Sequence, residues 1–429
     1  MKIGNLFKGD KGIWMVFFFL CLISVVEVFS ASSTLTYKSH NFMGPMIYHL
    51  ATIFVGVIVA IVTLNIPCRY FKLLTPIMII ISFATLIGVL LWGESINGAN
   101  RVIQLPGFTF QPSEIAKGTM VLATAQILSA LQKEDGSGAD QNAMKYILWL
   151  VIPTVLLIGR ENLSTAVILF GVIFIMMFIG RVPLIQLGKL TGVAVLIAGV
   201  FLGLVIWLGS MDKKAAEAEG NGEKTELAMD DAAEQKEEKD DNSWDKLTHR
   251  FGTWKNRILS HSSDMTDDPK EYDVSKNYQV AHAKFAIASS GIIGKGPGNS
   301  VERDYLPQAF SDFIYAIIIE EIGIFGAIAV AFLYVVLLFR AARIASRCEN
   351  NFPAFLVLGL ALLLVSQAVI NMMVAVDLMP VTGQPLPLIS KGGTSTIVNC
   401  AYIGVILSVS RSAKRKDQQL GSTHMIEEA

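Results

Sequence analysis

The sequence predicts an all-α, polytopic membrane protein with about ten transmembrane helices, both termini cytoplasmic, and a large extracytoplasmic loop between helices 7 and 8. Three observations predict it. Of 429 residues, 52% are hydrophobic and only 17% charged, where a soluble domain carries about 25% charged residues. Runs such as Ile13–Phe29 and Ala327–Phe339 are almost free of charge, and a helix crossing about 30 Å of hydrocarbon needs about 20 such residues. Basic residues fall in alternate short loops, which fixes orientation. The composition excludes an ordinary soluble globular enzyme. The net charge of -1 sums over two sides of a membrane and says nothing of partners.

Ten apolar stretches follow in order: Ile13–Phe29, Pro45–Asn65, Leu73–Trp92, Pro112–Leu131, Ile147–Leu157, Ser164–Gly180, Leu187–Gly209, Asp312–Phe339, Phe352–Val376 and Gly393–Val409. The first resembles a signal peptide, but its apolar run exceeds the usual h-region and more spans follow, so it reads as a retained helix. The fifth is short for a span and the eighth long. Lys2, Lys8 and Lys11 precede the first span. Arg69 and Lys72, Lys133 and Lys145, Arg181 and Lys189, then Arg340, Arg343 and Arg347 occupy every second loop, and the tail 411–429 adds Arg411, Lys414, Arg415 and Lys416. The opposite loops hold little beyond Lys38, Arg101, Arg160 and Lys391. Both termini are therefore expected inside. The four cysteines lie in spans or cytoplasmic loops by this topology, so no structural disulfide is expected.

The whole chain, 1–429, reads as one transmembrane domain carrying a single large hydrophilic segment, 210–311. Its first part, 212–245, mixes Ala, Glu, Asp and Lys and has too few large apolar residues to fold alone, so a disordered spacer or a loose helix is expected. The second part runs from Tyr278-Gln279 into a weakly apolar stretch and then Gly291, Gly294, Gly296 and Gly298. These glycines do not make a phosphate loop, because no strand precedes them and nucleotides are scarce outside the cell. They do let the backbone approach another chain closely.

Charges inside spans are costly, so each is a site candidate with a structural alternative. Glu114 and Lys117 share a helix face at i and i+3. They form either an ion pair at a helix start or a cation facing a cavity. Asp312, after Ser311, is either a helix N-cap or a functional carboxylate. Glu320 and Glu321 are adjacent in an apolar helix, about 12 Å deeper than Asp312 at about 1.5 Å per residue. At least one of them needs an internal polar partner, and Gly323 and Gly326 suggest close helix packing. The turn 380–393, with three prolines and three glycines, cannot be continuous helix and reads as a wall lining a cavity. Arg101, Lys117, Asp312, Ser390 and Lys391 would converge near the outer leaflet.

At these residues the chain resembles the SEDS family of FtsW, RodA and SpoVE. The matching blocks are Gly98-Ala-Asn-Arg101, Phe110-Gln-Pro-Ser-Glu-Ile-Ala-Lys117, Asn162-Leu-Ser-Thr-Ala166, Tyr278-Gln279, Gly294-Lys-Gly-Pro-Gly-Asn-Ser300, Tyr305-Leu-Pro-Gln-Ala-Phe-Ser-Asp-Phe313, Glu320-Glu-Ile-Gly323, and Pro380-Val-Thr-Gly-Gln-Pro-Leu-Pro with Ser390-Lys-Gly-Gly393. Together they are specific, and 299–307 is closer to division-type FtsW. The resemblance implies a peptidoglycan glycosyltransferase that polymerises lipid II in the bacterial inner membrane during septal cell-wall synthesis, with its active site outside. It implies Asp312 as the catalytic carboxylate and substrate contacts from Arg101, Gln111, Ser113, Glu114, Lys117, Ser390, Lys391 and Gly392. It implies the undecaprenyl-pyrophosphate-linked glycan as product and a class B penicillin-binding transpeptidase and other divisome membrane proteins as partners. No nucleotide or nucleic acid is implied; a divalent cation, Mg or Mn, is an open expectation. Lys391 stands where the family usually has Tyr, Tyr48-His49 where it has Arg-Gln, and Gly159-Arg-Glu-Asn162 where it has a Pro-Asp pair. A lipid II flippase and a non-catalytic division scaffold are the competing readings, and a transporter built of inverted repeats finds no matching halves.

Overall fold

In a computed structural model, the described residues are 8–31, 44–96, 99–105, 108–134, 138–218, 278–306 and 309–427. They form α1 (Lys11–Ala31), α2 (Gly44–Asn65), α3 (Cys68–Trp92), β1 (Glu94–Ile96), β2 (Ala99–Leu105), β3 (Phe108–Phe110), α4 (Pro112–Ala130), α5 (Ala143–Glu161), α6 (Leu163–Ile179), α7 (Leu184–Ala218), α8 (Tyr278–Ser290), α9 (Ile314–Ala345), α10 (Asn351–Ala375) and α11 (Thr394–Glu427). Each of the ten expected spans falls on one of the long helices. Among the described residues, eight helices are at least 18 residues long and apolar enough to cross a membrane. Of the other two, α6 has 17 residues, and α4 carries the Glu114–Lys117 pair and many small residues.

The chain divides into two compact units, one formed by residues up to 184 and from 278, the other by 185–277. The described part of the second unit is the helix α7, whose residues 193–200 are almost all solvent-exposed or lipid-facing apolar side chains. That helix continues to Ala218, so the first residues of the acidic segment are helical; its remainder lies outside the described residues.

In the first unit the loops sort onto two faces. On one, the backbone N–H of Asp10 donates to Ser410 Oγ at 2.9 Å, and Arg340 pairs with the Asp10 carboxylate at 2.6 Å. Asp10 also caps α1, its Oδ1 accepting from the N–H groups of Gly12 and Ile13. Ser408 reaches the carbonyl of Ile66, and Ala139 N–H that of Arg181, on the same side of the helices. This face gathers the basic loops. The start of α1 and the 408–413 end of α11's buried stretch share it, as the alternation of basic residues requires.

The core is helix on helix. α2 and α11 pack most closely because glycine sits at the crossing: a Cβ on Gly404 would lie 1.8 Å from Thr63 Oγ1 and 2.6 Å from the Ala60 carbonyl. α9 packs on α10, and α10 on α4. On the face opposite the basic loops lies a three-stranded antiparallel sheet, β1-β2-β3, with Glu94 opposite Val102 and Ile103 opposite Phe110. Among the described residues, this sheet is the departure from an all-α chain. Its strands are too short for periodicity to announce them.

α9 departs from a regular helix at Gly323, where φ is 77° and ψ -168°. A break there frees carbonyls that must find partners. Those of Glu320 and Glu321 accept the N–H groups of Lys295 and Gly296 at 2.9 and 2.8 Å. The approach is so close that a Cβ on Gly294 would sit 2.4 Å from the Glu321 carbonyl, and one on Gly323 2.3 Å from that of Ile292. The glycine run therefore approaches the chain's own ninth helix, and only glycine fits on either side.

Candidate functional site

The site is built where the turn after residue 309 meets the 380–393 wall. Ser390 Oγ donates to the Ser311 carbonyl at 2.5 Å and accepts the Leu386 N–H at 2.8 Å. Lys391 N–H donates to the Phe310 carbonyl at 3.0 Å, and its ammonium lies 5.0 Å from the centre of the Phe310 ring. Asn371, from α10, donates through Nδ2 to the carbonyls of both Asp312 (2.9 Å) and Gln384 (2.7 Å). One amide thus ties the Asp312 turn to the wall. The Asp312 carboxylate is half-buried and accepts from Ser311 Oγ at 3.1 Å. It does not cap α9, since the N-cap position is Phe313.

Lys391 is half-buried beside this turn, and burial lowers its pKa below the ordinary lysine value, because the charged form loses solvation. Gly392 accepts the Ser395 N–H at 3.0 Å and so opens α11. Lys117 and Glu114 are both buried at 1% exposure and pair at 2.9 Å. Lys117 also donates to Gln367 Oε1 at 2.8 Å, and Gln367 passes the link on to the Pro385 carbonyl at 3.1 Å. Gln384 in turn reaches Thr165 on α6 at 2.8 Å. The ion pair of α4 is thereby connected to the wall that holds Asp312.

Gln111 and Ser113 bond each other at 3.2 Å and line a crevice with Glu161, Asn162, Leu86, Val89, Leu157 and Ile158. Arg101 lies on β2, two strands from the helix-α4 start; its side chain is outside the described residues. Glu320 and Glu321, fully buried, are spent on the glycine segment. Glu320 accepts from Lys295 Nζ (2.6 Å), Ser300 Oγ (2.5 Å) and Val301 N–H (3.0 Å), and Glu321 from Gly298 N–H (2.9 Å) and Ser30 Oγ. Arg303 bonds Ser30 at 2.8 Å beside them. The paired carboxylates act as the clasp for residues 295–303, the structural one of the two readings left open by the sequence.

Three groups escaped the sequence reading. Gln367 and Asn371 stand at i and i+4 in an otherwise apolar span, a spacing that signals one polar face. Glu27 of α1 is buried with neither carboxylate oxygen hydrogen-bonded among the described residues. A lone carboxylate in the first apolar run was the available signal.

Among the described residues no three His, Cys, Asp or Glu side chains gather to hold a metal ion. The donor set therefore fits a protein-only metal cage poorly.

Fold and site together define a multi-pass membrane protein whose polar centre is held at one end of a helical bundle. The family model described as "Cell cycle protein" (FTSW_RODA_SPOVE) matches residues 10–214 and 247–415. This chain belongs to that family. It is 29% identical over 411 residues to the probable peptidoglycan glycosyltransferase FtsW of Halomonas elongata, covering 93% of this chain and 90% of that one. It is 25% identical to the peptidoglycan glycosyltransferase MrdB of Escherichia coli K12, covering 94% of each. Among solved structures, the rod shape determining protein RodA of Thermus thermophilus matches with a TM-score of 0.60 at 22% identity, over 95% of this chain and 99% of that one. A chain from a study of polymerization and crosslinking by a peptidoglycan synthase complex matches with a TM-score of 0.66 at 22% identity, over 94% and 98%.

Proposed function

We propose that this chain is a peptidoglycan glycosyltransferase that polymerises lipid II on the outer face of the bacterial cytoplasmic membrane. The observation that carries the reading is the Asp312 turn. Asn371, Ser390 and Lys391 hold its backbone in place, it caps no helix, and a half-buried lysine stands beside it. The relatives' names and the near full-length match support the same class. The gathering of the basic loops on the opposite face supports an outward-facing turn.

In the proposed reaction Asp312 takes the proton of the acceptor sugar's 4-hydroxyl, within hydrogen-bond reach, as a general base. The oxygen attacks the donor's anomeric carbon. The carbon–oxygen bond to the pyrophosphate breaks with its electron pair leaving on phosphate, and single displacement inverts the configuration. The developing negative charge is met by cations placed in advance, with Lys391 and Arg101 as the direct candidates. Lys117 is committed to Glu114 and Gln367, so it acts through the wall it supports. Gln111, Ser113 and Gly392 border the space for the substrate. A Mg or Mn ion on Asp312 would add charge neutralisation at the pyrophosphate.

The lipid-facing stripe of α9, Ile324, Phe325, Ile328, Phe332 and Val335, is exposed and apolar. It fits the membrane helix of a class B penicillin-binding transpeptidase, with divisome proteins at the septum as the wider setting.

The test incubates the purified protein, alone and with a cognate transpeptidase, with fluorescent lipid II and resolves products on a gel. Muramidase-sensitive polymer is expected. A flippase would instead move lipid II across liposomes and leave it monomeric, and a scaffold would do neither.

A further inference from the structure

We propose that the aromatic cluster around His282 is a saccharide subsite that holds the already polymerised part of the glycan, an inference that rests on the polymerase reading above. Tyr278, His282 and Phe285 share one face of α8 at i, i+4 and i+7. The Tyr305 ring stacks on the imidazole at 5.4 Å and 8°, the Tyr278 ring lies 4.2 Å from it, and Phe285 meets it edge-on at 5.7 Å. His282 itself is nearly buried and fixed by Glu302, whose Oε2 lies 2.6 Å from Nδ1. The outer rings are not covered: Tyr278, Phe285 and Tyr305 are 40%, 42% and 53% exposed.

The platform is rigidly mounted. Glu302 accepts the Tyr305 and Leu306 N–H groups through its carbonyl, at 3.1 and 2.9 Å, and its own N–H donates to Glu320 at 3.4 Å. Lys284 ties α8 to Asp377 at 2.6 Å, just beyond the end of α10 that carries Asn371. Asn371 holds the Asp312 carbonyl, so platform and catalytic turn are braced on the same helix end.

Rings that stay 40–53% exposed suit a pyranose. Its axial C–H groups dock on an electron-rich ring face, while its hydroxyls keep their water. A protein partner needs about 800 Å² on each side, far more than three rings supply. The occupant in this reading is a short run of the product, held so that the next addition occurs without release.

The test measures binding of a lipid-free tetrasaccharide of alternating N-acetylglucosamine and N-acetylmuramic acid to the purified full-length protein by saturation-transfer NMR. Wild type and Asp312→Asn are expected to bind alike. Tyr305→Ala should weaken binding about tenfold, the effect of one lost ring contact, while Tyr305→Phe keeps it and shows the fold intact. In polymerisation, Tyr305→Ala should give shorter glycans at an unchanged initial rate of lipid II use. Equal binding by Tyr305→Ala, or equal loss in Tyr305→Phe, overturns the subsite. Polymer from wild type with no effect of Tyr305→Ala removes the subsite and keeps the polymerase. The binding pattern without any polymer keeps the subsite and removes the polymerase.

Discussion

Lys117→Met separates two roles of the α4 ion pair. In the wild type both side chains are 1% exposed, the pair closes at 2.9 Å, and Lys117 also reaches Gln367. Glu114 Oε2 already has no hydrogen-bond partner among the described residues. Removing the ammonium leaves a carboxylate buried without its counter-ion, which costs about 3–5 kcal/mol, whereas replacing both partners by neutral groups of similar volume is close to neutral. Glu114→Gln combined with Lys117→Met should therefore recover most of the stability that the single change loses. Thermal unfolding of the purified protein in detergent reads the first quantity, and lipid II polymerisation reads the second. The expected result is a single variant with a lowered melting temperature and a double variant near wild type that remains impaired, because Gln367 Oε1 has lost its donor and the amide that holds the Pro385 carbonyl is no longer fixed by Lys117. A single variant as stable as wild type, or a double variant as unstable as the single, would refute the argument that this is a buried and coupled charge pair.

Further outcomes follow from the same geometry. Gly323→Ala places a Cβ 2.3 Å from the Ile292 carbonyl at a φ of 77°, so it should destabilise the protein by about 2–4 kcal/mol of combined clash and strain; faster proteolysis within residues 291–306 would report the loosened clasp. Lys391 loses its proton at a lower pH than an ordinary lysine because burial disfavours the charged form. Its cationic contribution is thus lost as pH rises through a value below that of an ordinary lysine. Lys391→Arg, which stays charged, should extend activity to higher pH, and an unchanged alkaline limb in the rate profile would remove Lys391 from pyrophosphate binding. Glu320→Ala should release Lys295, Ser300 and Val301 together and lower the melting temperature more than Lys295→Met, which removes one of those contacts.

The helices were legible because a bilayer demands long apolar runs. The sharing of one face by the basic loops was legible from their alternation, and Asp10, Arg340 and Ser410 meet on that face. The meeting of the Asp312 turn with Ser390 and Lys391 was legible only as convergence on one side. Its cause, the twin bonds of Asn371, depends on how α10 packs. The break at Gly323 was hidden because glycine in an apolar helix signals close packing as readily as a bend. Glu320 and Glu321 advertised an internal partner, yet which partner depended on a loop 18 to 25 residues earlier. The sheet of β1 to β3 escaped because strands of three to seven residues carry too few alternations to stand out.

The central claim is that Asp312 is the base of a polymerising transferase, and Asp312→Asn tests it most directly. Asparagine keeps the size of the side chain and the backbone bonds to Asn371, so the protein should fold and still bind lipid II. Loss of a general base lowers rate by about 10²–10⁴-fold, so polymer formation by the folded variant should fall into that range or below detection. Polymerisation within a few-fold of wild type by a stably folded Asp312→Asn protein would contradict the account.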